Sequence, residues 1–234
     1  MAALRGGSVS HAEGDPAQNP GRVMSTLRLV TIELLLDHDS GGRWAEARAR
    51  VLGDVQAAIL AVRWPPGSAD FTVHEQSGKL RGEGSGVKPI KAAFIEKLRE
   101  LGWSRELPFP KPEGGGPGPG PFDAGIDLAK YGQMPFAVEW ETGNISSSHR
   151  AVNKMCLGLL LGCLSGGILV LPTRRLARYL TDRIGNFEEL APYLPLWRSL
   201  SVSRGLLGVI AVEHDSANLK VPRIPKATNG RALI

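Results

Sequence analysis

Phe136-Ala137-Val138-Glu139-Trp140-Glu141 is the stretch that decides the fold. Successive side chains of a strand point to opposite faces, so Phe136, Val138 and Trp140 fill one side while Glu139 and Glu141 stand together on the other. One face belongs in a core and the other is acidic. Just upstream lie a short segment at residues 124–128 and a turn through Tyr131, Gly132 and Gln133. Downstream, the patterning predicts a helix over about 147–164, a buried strand at 168–171, helices near 173–183 and 186–193, and a strand at 206–214. Strands interleaved with helices predict an α/β protein with a central mixed β-sheet flanked by helices.

Working towards the N-terminus, residues 108–121 form a Pro/Gly run that can hold no regular element and reads as a surface insertion loop between two strands. Before it, Pro89 opens a helix that runs to about Leu101 and stops at Gly102. A short strand is expected at residues 70–74. Trp44, Ala47, Val51, Val55 and Ile59 recur at helical spacing and predict a helix over 42–62. Residues 25–36 also read as a helix. Residues 1–23 lack periodicity and read as a disordered tail or an over-called start, with Met24 opening a single domain over 24–234.

The chain has 234 residues, enough for one substantial core. Its charged and apolar fractions, 22% and 42%, exclude a disordered protein. A formal charge of +5 favours a polyanionic partner. The two cysteines, Cys156 and Cys163, have no CxxC spacing for zinc or redox chemistry and read as core residues in a reducing compartment. The longest apolar stretch is too interrupted by glycines to span a membrane, and no signal peptide precedes it, so a cytoplasmic protein with no membrane partner is expected.

Asp127 lies twelve residues before Glu139, a spacing that suits a hairpin returning the chain so that Asp127, Glu139 and Glu141 converge. Such a cluster suits hard magnesium ions, which take oxygen ligands, keep several waters and let a substrate phosphate complete the shell. Phosphodiester hydrolysis would be the natural reaction. The same pattern is common on an edge strand whose solvent face carries two glutamates, and the segment that follows decides between the two.

The run from Glu139-Trp140-Glu141-Thr142-Gly143-Asn144-Ile145-Ser146 through Ser147-Ser148-His149-Arg150 to Asn153-Lys154 strongly resembles the BamHI-type restriction endonucleases. The likeness continues through Leu180-Thr181-Asp182-Arg183, Asn186-Phe187-Glu188-Glu189-Leu190 and Val221-Pro222-Arg223-Ile224-Pro225-Lys226, with a fainter echo at Val87-Lys88-Pro89-Ile90-Lys91. It implies the restriction-endonuclease-like sandwich of the PD-(D/E)XK superfamily, in a variant where glutamate, here Glu141, replaces the motif lysine. By motif, the catalytic set would be Asp127, Glu139, Glu141 and Glu106. Asp127, Glu139 and Glu106 would hold Mg2+, with Mn2+ as a substitute, and Glu141 would orient the attacking water or act as base.

The resemblance further implies base reading by Lys91, Asn144, Ser146, Arg150, Asp182 and Arg183. The chemistry agrees: arginine and lysine suit guanine, asparagine suits adenine, and aspartate can accept from cytosine. Asn144 and the serines could instead cap the helix, Asp182 and Arg183 could pair with each other at the surface, and Lys91 could be a solvated helix residue. His149 is expected on a helix surface and His214 at a strand end, neither with a catalytic role. Residues 216–234 are expected to form an arm along DNA. The implied activity is that of a homodimeric type II restriction endonuclease that cuts double-stranded DNA at GGATCC, after the first G, leaving 5′ GATC overhangs. A cognate DNA methyltransferase would be its functional partner. A structure-selective nuclease and a non-catalytic DNA-binding module are the alternatives.

Overall fold

The computed structural model describes residues 26–78, 83–110, 118–181 and 184–226. A mixed sheet of six strands runs through the centre in the order β1-β7-β6-β5-β4-β3: β1 (Arg28–His38), β7 (Gly205–Glu213), β6 (Gly166–Pro172), β5 (Phe136–Trp140), β4 (Phe122–Ile126) and β3 (Ser104–Leu107). The three central strands β5, β6 and β7 are parallel, and the other pairings are antiparallel. Every residue of β6 and β7 is buried, as expected of parallel strands covered on both faces. Helices α1 (Trp44–Ala61) and α2 (Lys88–Glu100) cover one face, packing on Phe136, Val138, Trp140 and Ile168. Helix α3 (Ile145–Leu160) and the short helix α6 (Leu194–Arg198) cover the other, on Ala137, Leu169, Leu171 and Val209. No described helix is long and apolar enough to cross a membrane.

Residues 25–36, expected as a helix, instead contribute most of strand β1. The strand carries two register shifts against β7, between Leu29 and Thr31 and between Leu34 and Leu36. Each shift breaks the period-two alternation, so Leu35 and Leu36 are both buried and the apolar residues cluster in a way that imitates a helix. Strand β3 is implied by the sequence only as the first of the two strands flanking the Pro/Gly run, without bounds, because Ser104-Arg105-Glu106-Leu107 is a charged, exposed edge with no alternation to detect. The expected helix at 173–183 shrinks to α4 (Arg174–Ala177), and that at 186–193 to α5 (Phe187–Leu190) followed by a 3-10 turn.

The Pro/Gly run does connect β3 to β4, and Phe109 anchors its start against Phe122 at 6.0 Å between ring centroids. The segment expected as an arm along DNA is, as far as Lys226, laid against the body. Strand β8 (Ser216–Ala217) pairs with β2 (Thr72–Val73), the indole N–H of Trp64 donates to the Pro222 carbonyl at 2.8 Å, and Ile224 is buried. Its apolar residues and backbone partners hold it there. The proposed tail at 1–23 and the end of the arm, 227–234, lie outside the described residues. Cys156 is a free, buried thiol pushed up to about 12 by burial, in keeping with a core role.

Candidate active site

Strands β4 and β5 form an antiparallel hairpin in which Ala124 faces Val138, Gly125 faces Ala137 and Ile126 faces Phe136. Carried one residue further, this register sets Asp123 across from Glu139. The backbone ladder stops there, and the Asp123 carboxylate accepts the Trp140 N–H at 2.8 Å. On its other side β5 stays paired to β6, with the Glu141 N–H donating to the Val170 carbonyl at 2.9 Å. The sheet therefore opens on one side only, and a cleft of about 400 Å³ lined by Asp123, Glu139 and Glu141 fills the gap. The β3–β4 register likewise places Glu106 opposite Asp123, so three acidic residues lie in a row across three neighbouring strands.

The charges in the cleft are crowded and poorly hydrated. Burial, and next the facing charge of Asp123, push the Glu139 carboxyl up to about 7, against the opposing pull of Lys154. Glu141 is raised by burial, while hydrogen bonds from the Gly143 N–H and the Ser148 hydroxyl, the latter at 2.9 Å, act the other way. Two lysines supply the counter-charge. Lys91 from α2 pairs with Asp123, and Lys154 from α3 pairs with Glu139.

Of the expected acidic residues, Glu139 and Glu141 share the cleft and Asp127 does not. Asp127 sits past the end of β4 in an exposed turn, where its carboxylate accepts the Ala129 N–H at 2.8 Å. Four residues of strand, roughly 13 Å, separate it from Asp123. Asp123 takes the place expected of Asp127. It was missed because the strand was begun at Ala124; pairing the hairpin outward from its turn would have found it. Glu106 is exposed at a left-handed φ of 57°, the only non-glycine at positive φ among the described residues. It lines a neighbouring depression that also includes Asp123 and Lys91.

Lys91 and Arg150 both line the acidic cleft. Asn144 caps α3, its side-chain oxygen accepting the Ser147 N–H at 3.2 Å, and Ser146 is exposed in the first turn. Asp182 and Arg183 lie outside the described residues. His149 is more than a surface residue: its ring packs against Tyr193 at 4.5 Å and Trp197 at 5.5 Å, tying α3 to α6 and the turn before it. His214 is deeply buried beside Glu213.

Among the described residues, no three His, Cys, Asp or Glu side chains close on a common point. The cleft instead offers two facing carboxylates, Asp123 and Glu139, beside a third, Glu141. This donor set fits a magnesium ion, which binds through one or two carboxylates and leaves its remaining positions to water and phosphate oxygens. Burial is the main cause of the elevated Glu139 and the facing Asp123 adds to it, and a divalent cation would relieve the charge of the pair.

A family model for the restriction endonuclease BamHI matches residues 27–231. The chain is 41% identical over 207 residues to the type II restriction enzyme OkrAI of Oceanobacter kriegii, covering 88% of this chain and 100% of that protein. It is 34% identical over 179 residues to the type II restriction enzyme BamHI of Bacillus amyloliquefaciens, covering 76% and 80%. In three dimensions it resembles the restriction endonuclease BglII crystallised with a DNA 16-mer, with a TM-score of 0.54 at 12% identity, covering 83% and 88% of the two chains. That likeness concerns the fold alone, a mixed sheet flanked by helices. The acidic cleft, the helix that begins beside it and the family match over nearly the whole described chain together make this protein a type II restriction endonuclease of the BamHI family.

Proposed function

We propose that this enzyme binds double-stranded DNA as a homodimer and hydrolyses one phosphodiester bond in each strand at GGATCC, after the first G, with Mg2+ as its metal and Mn2+ as a substitute. The observation that carries the proposal is the cross-strand pair Asp123–Glu139 at the point where β4 and β5 part, with Glu139 six residues before the start of α3. That proximity supports a reading in which chemistry and base reading lie side by side.

In this mechanism Asp123 and Glu139 would hold the metal, and Glu106 on β3 is the further candidate ligand. Once bound, the metal would polarise the scissile phosphate and lower the pKa of an attacking water. Glu141 orients that water or takes its proton; each of its oxygens accepts one hydrogen bond from the protein, which fixes the carboxylate and leaves lone pairs for the water. Arg150 and Lys91 present positive charge at the cleft, where a phosphate or a guanine edge is complementary to it. Asn144 and Ser146 at the start of α3, with Asp182 and Arg183 by motif, complete the base-reading set. The Asn144 cap uses only its side-chain oxygen, which leaves the amide N–H donors for a base edge.

A palindrome calls for two-fold symmetry. Leu157 and Leu160 on α3 and Leu161 at its C-cap are exposed, as are Tyr193 and Leu196, and burying such residues against a second copy would build an isologous interface. A methyltransferase that modifies the same site would be the functional partner in a cytoplasmic restriction-modification system. The test is digestion of two plasmids, one with a single GGATCC and one without, in Mg2+ and in EDTA, followed by sequencing of the ends. Linearisation of the first alone, in Mg2+ alone, with GATC overhangs is expected. Cutting elsewhere would discard the site, and no cutting would discard the mechanism.

A further inference from the structure

Lys154 is a buried cation with 7% of its side chain exposed. A lysine is seldom buried unless something holds it there, and here every direction of the ammonium is engaged. It pairs with Glu139, donates to the Pro121 carbonyl at 2.6 Å and lies over the face of Phe122 at 4.4 Å from the ring centroid. Lys91, its counterpart on Asp123, is 30% exposed on a helix surface and free to swing towards DNA. Lys154 has no such exit.

Helix α3 thus addresses both glutamates, through Ser148 to Glu141 and through Lys154 to Glu139. Arg150 stands one turn before Lys154 on the same helix and also faces the cleft. The Pro121 contact extends the link to the end of the Pro/Gly run, immediately before the strand that carries Asp123.

We propose that Lys154 is a positioning residue of this active site: it fixes Glu139 relative to helix α3, so that the helix that reads the DNA also sets a metal-holding carboxylate. The proposal rests on the metal-dependent nuclease mechanism above. Lys154 does not touch the substrate; it acts through Glu139, at the cost of repelling the cation that Glu139 must hold. Removing the ammonium should therefore have two opposite effects: tighter metal binding and slower cleavage.

The experiment compares wild type, Lys154→Met and Lys154→Arg. Melting is followed in EDTA and with Ca2+, and single-turnover cleavage of a GGATCC duplex is followed across a Mg2+ series. Lys154→Met should melt lower in EDTA but gain more from Ca2+ than wild type, because the calcium ion can then neutralise Glu139. At saturating Mg2+ its rate should fall about 10–100-fold, the range for outer-shell partners of metal ligands. Its half-saturating Mg2+ should fall as well, and Lys154→Arg should recover much of the rate. A Lys154→Met enzyme that cuts at the wild-type rate, or that gains no extra stability from Ca2+, would overturn the proposal. If Lys154→Met does not fold even with Ca2+, the double variant Lys154→Met/Glu139→Gln decides: recovery of folded protein supports action through Glu139, and failure of the double variant refutes it. A wild type that binds Ca2+ yet cuts nothing would sink the nuclease mechanism, while the melting comparison would still decide the role of Lys154.

Discussion

Two glutamates of this molecule are shielded from water and paired with a basic neighbour, and they behave in opposite ways. Glu139, beside Lys154 at the parting of β4 and β5, is pushed up to about 7. Glu213, beside His214 at the end of β7, is held below its ordinary value: burial alone would raise it, but the His214 ring and backbone N–H and the Thr173 hydroxyl more than offset that. The difference lies in the company each keeps. Glu139 faces the like charge of Asp123 across an open cleft, whereas Glu213 is surrounded by donors in a sealed corner. A buried carboxylate ringed by donors reads as structural, whereas one buried beside a second carboxylate at an open cleft is a candidate for chemistry.

The largest effect is expected at the open site: Glu141→Ala should lower cleavage about 10³-fold or more, the scale of several kcal/mol of lost transition-state stabilisation. Specific binding measured by gel shift in Ca2+ should survive. Loss of binding together with cleavage would reassign Glu141 to structure. At the sealed site, Glu213→Gln should leave the cleavage rate unchanged but reduce stability in urea by about 1–3 kcal/mol, since buried donors lose a charged acceptor. An effect on rate with no effect on stability would reverse the assignment of the two sites.

The two carboxylates should also leave opposite marks on the pH dependence of stability. Glu139 has a raised pKa, so in EDTA the folded protein binds the extra proton between about pH 4.5 and 7. Its contribution is full below that window and is lost as pH rises through it. Glu213 has a lowered pKa, so its contribution is present above the usual carboxylate range and is lost on acidification. Melting curves in EDTA should show the first trend vanish in Glu139→Gln and persist in Glu213→Gln. The smallest effect belongs to Asn144→Ala, which should cost about 1 kcal/mol of stability through the lost cap. It should also weaken binding to GGATCC more than binding to unrelated DNA. Equal losses on both would leave Asn144 as a cap alone.

Much of this architecture was legible in the chain because long periodic segments announce themselves. The stripe from Trp44 to Ile59 gave α1, Pro89 and Gly102 bracketed α2, and the alternation at Phe136 to Trp140 gave β5 with its two glutamates on one side. Irregular segments were illegible for specific reasons. Two bulges in β1 scrambled its alternation, and β3 is too short and too charged to carry a pattern. In the active site, the motif after Glu139 located the cleft, but the partner acid depends on hairpin register, which a misplaced strand start shifts by four residues from Asp123 to Asp127. Lys154 lay in plain view at the end of the motif; only folding shows that its ammonium reaches back to Glu139.

The central claim is that Asp123, and not Asp127, completes the acidic site. Its most direct test is to compare Asp123→Asn with Asp127→Asn in single-turnover cleavage of a GGATCC duplex in Mg2+, with melting curves confirming that both fold. Asp123→Asn should cut at a rate about 10³-fold below wild type, and Asp127→Asn should cut like wild type. An inactive Asp127→Asn beside an active Asp123→Asn would contradict the site as drawn.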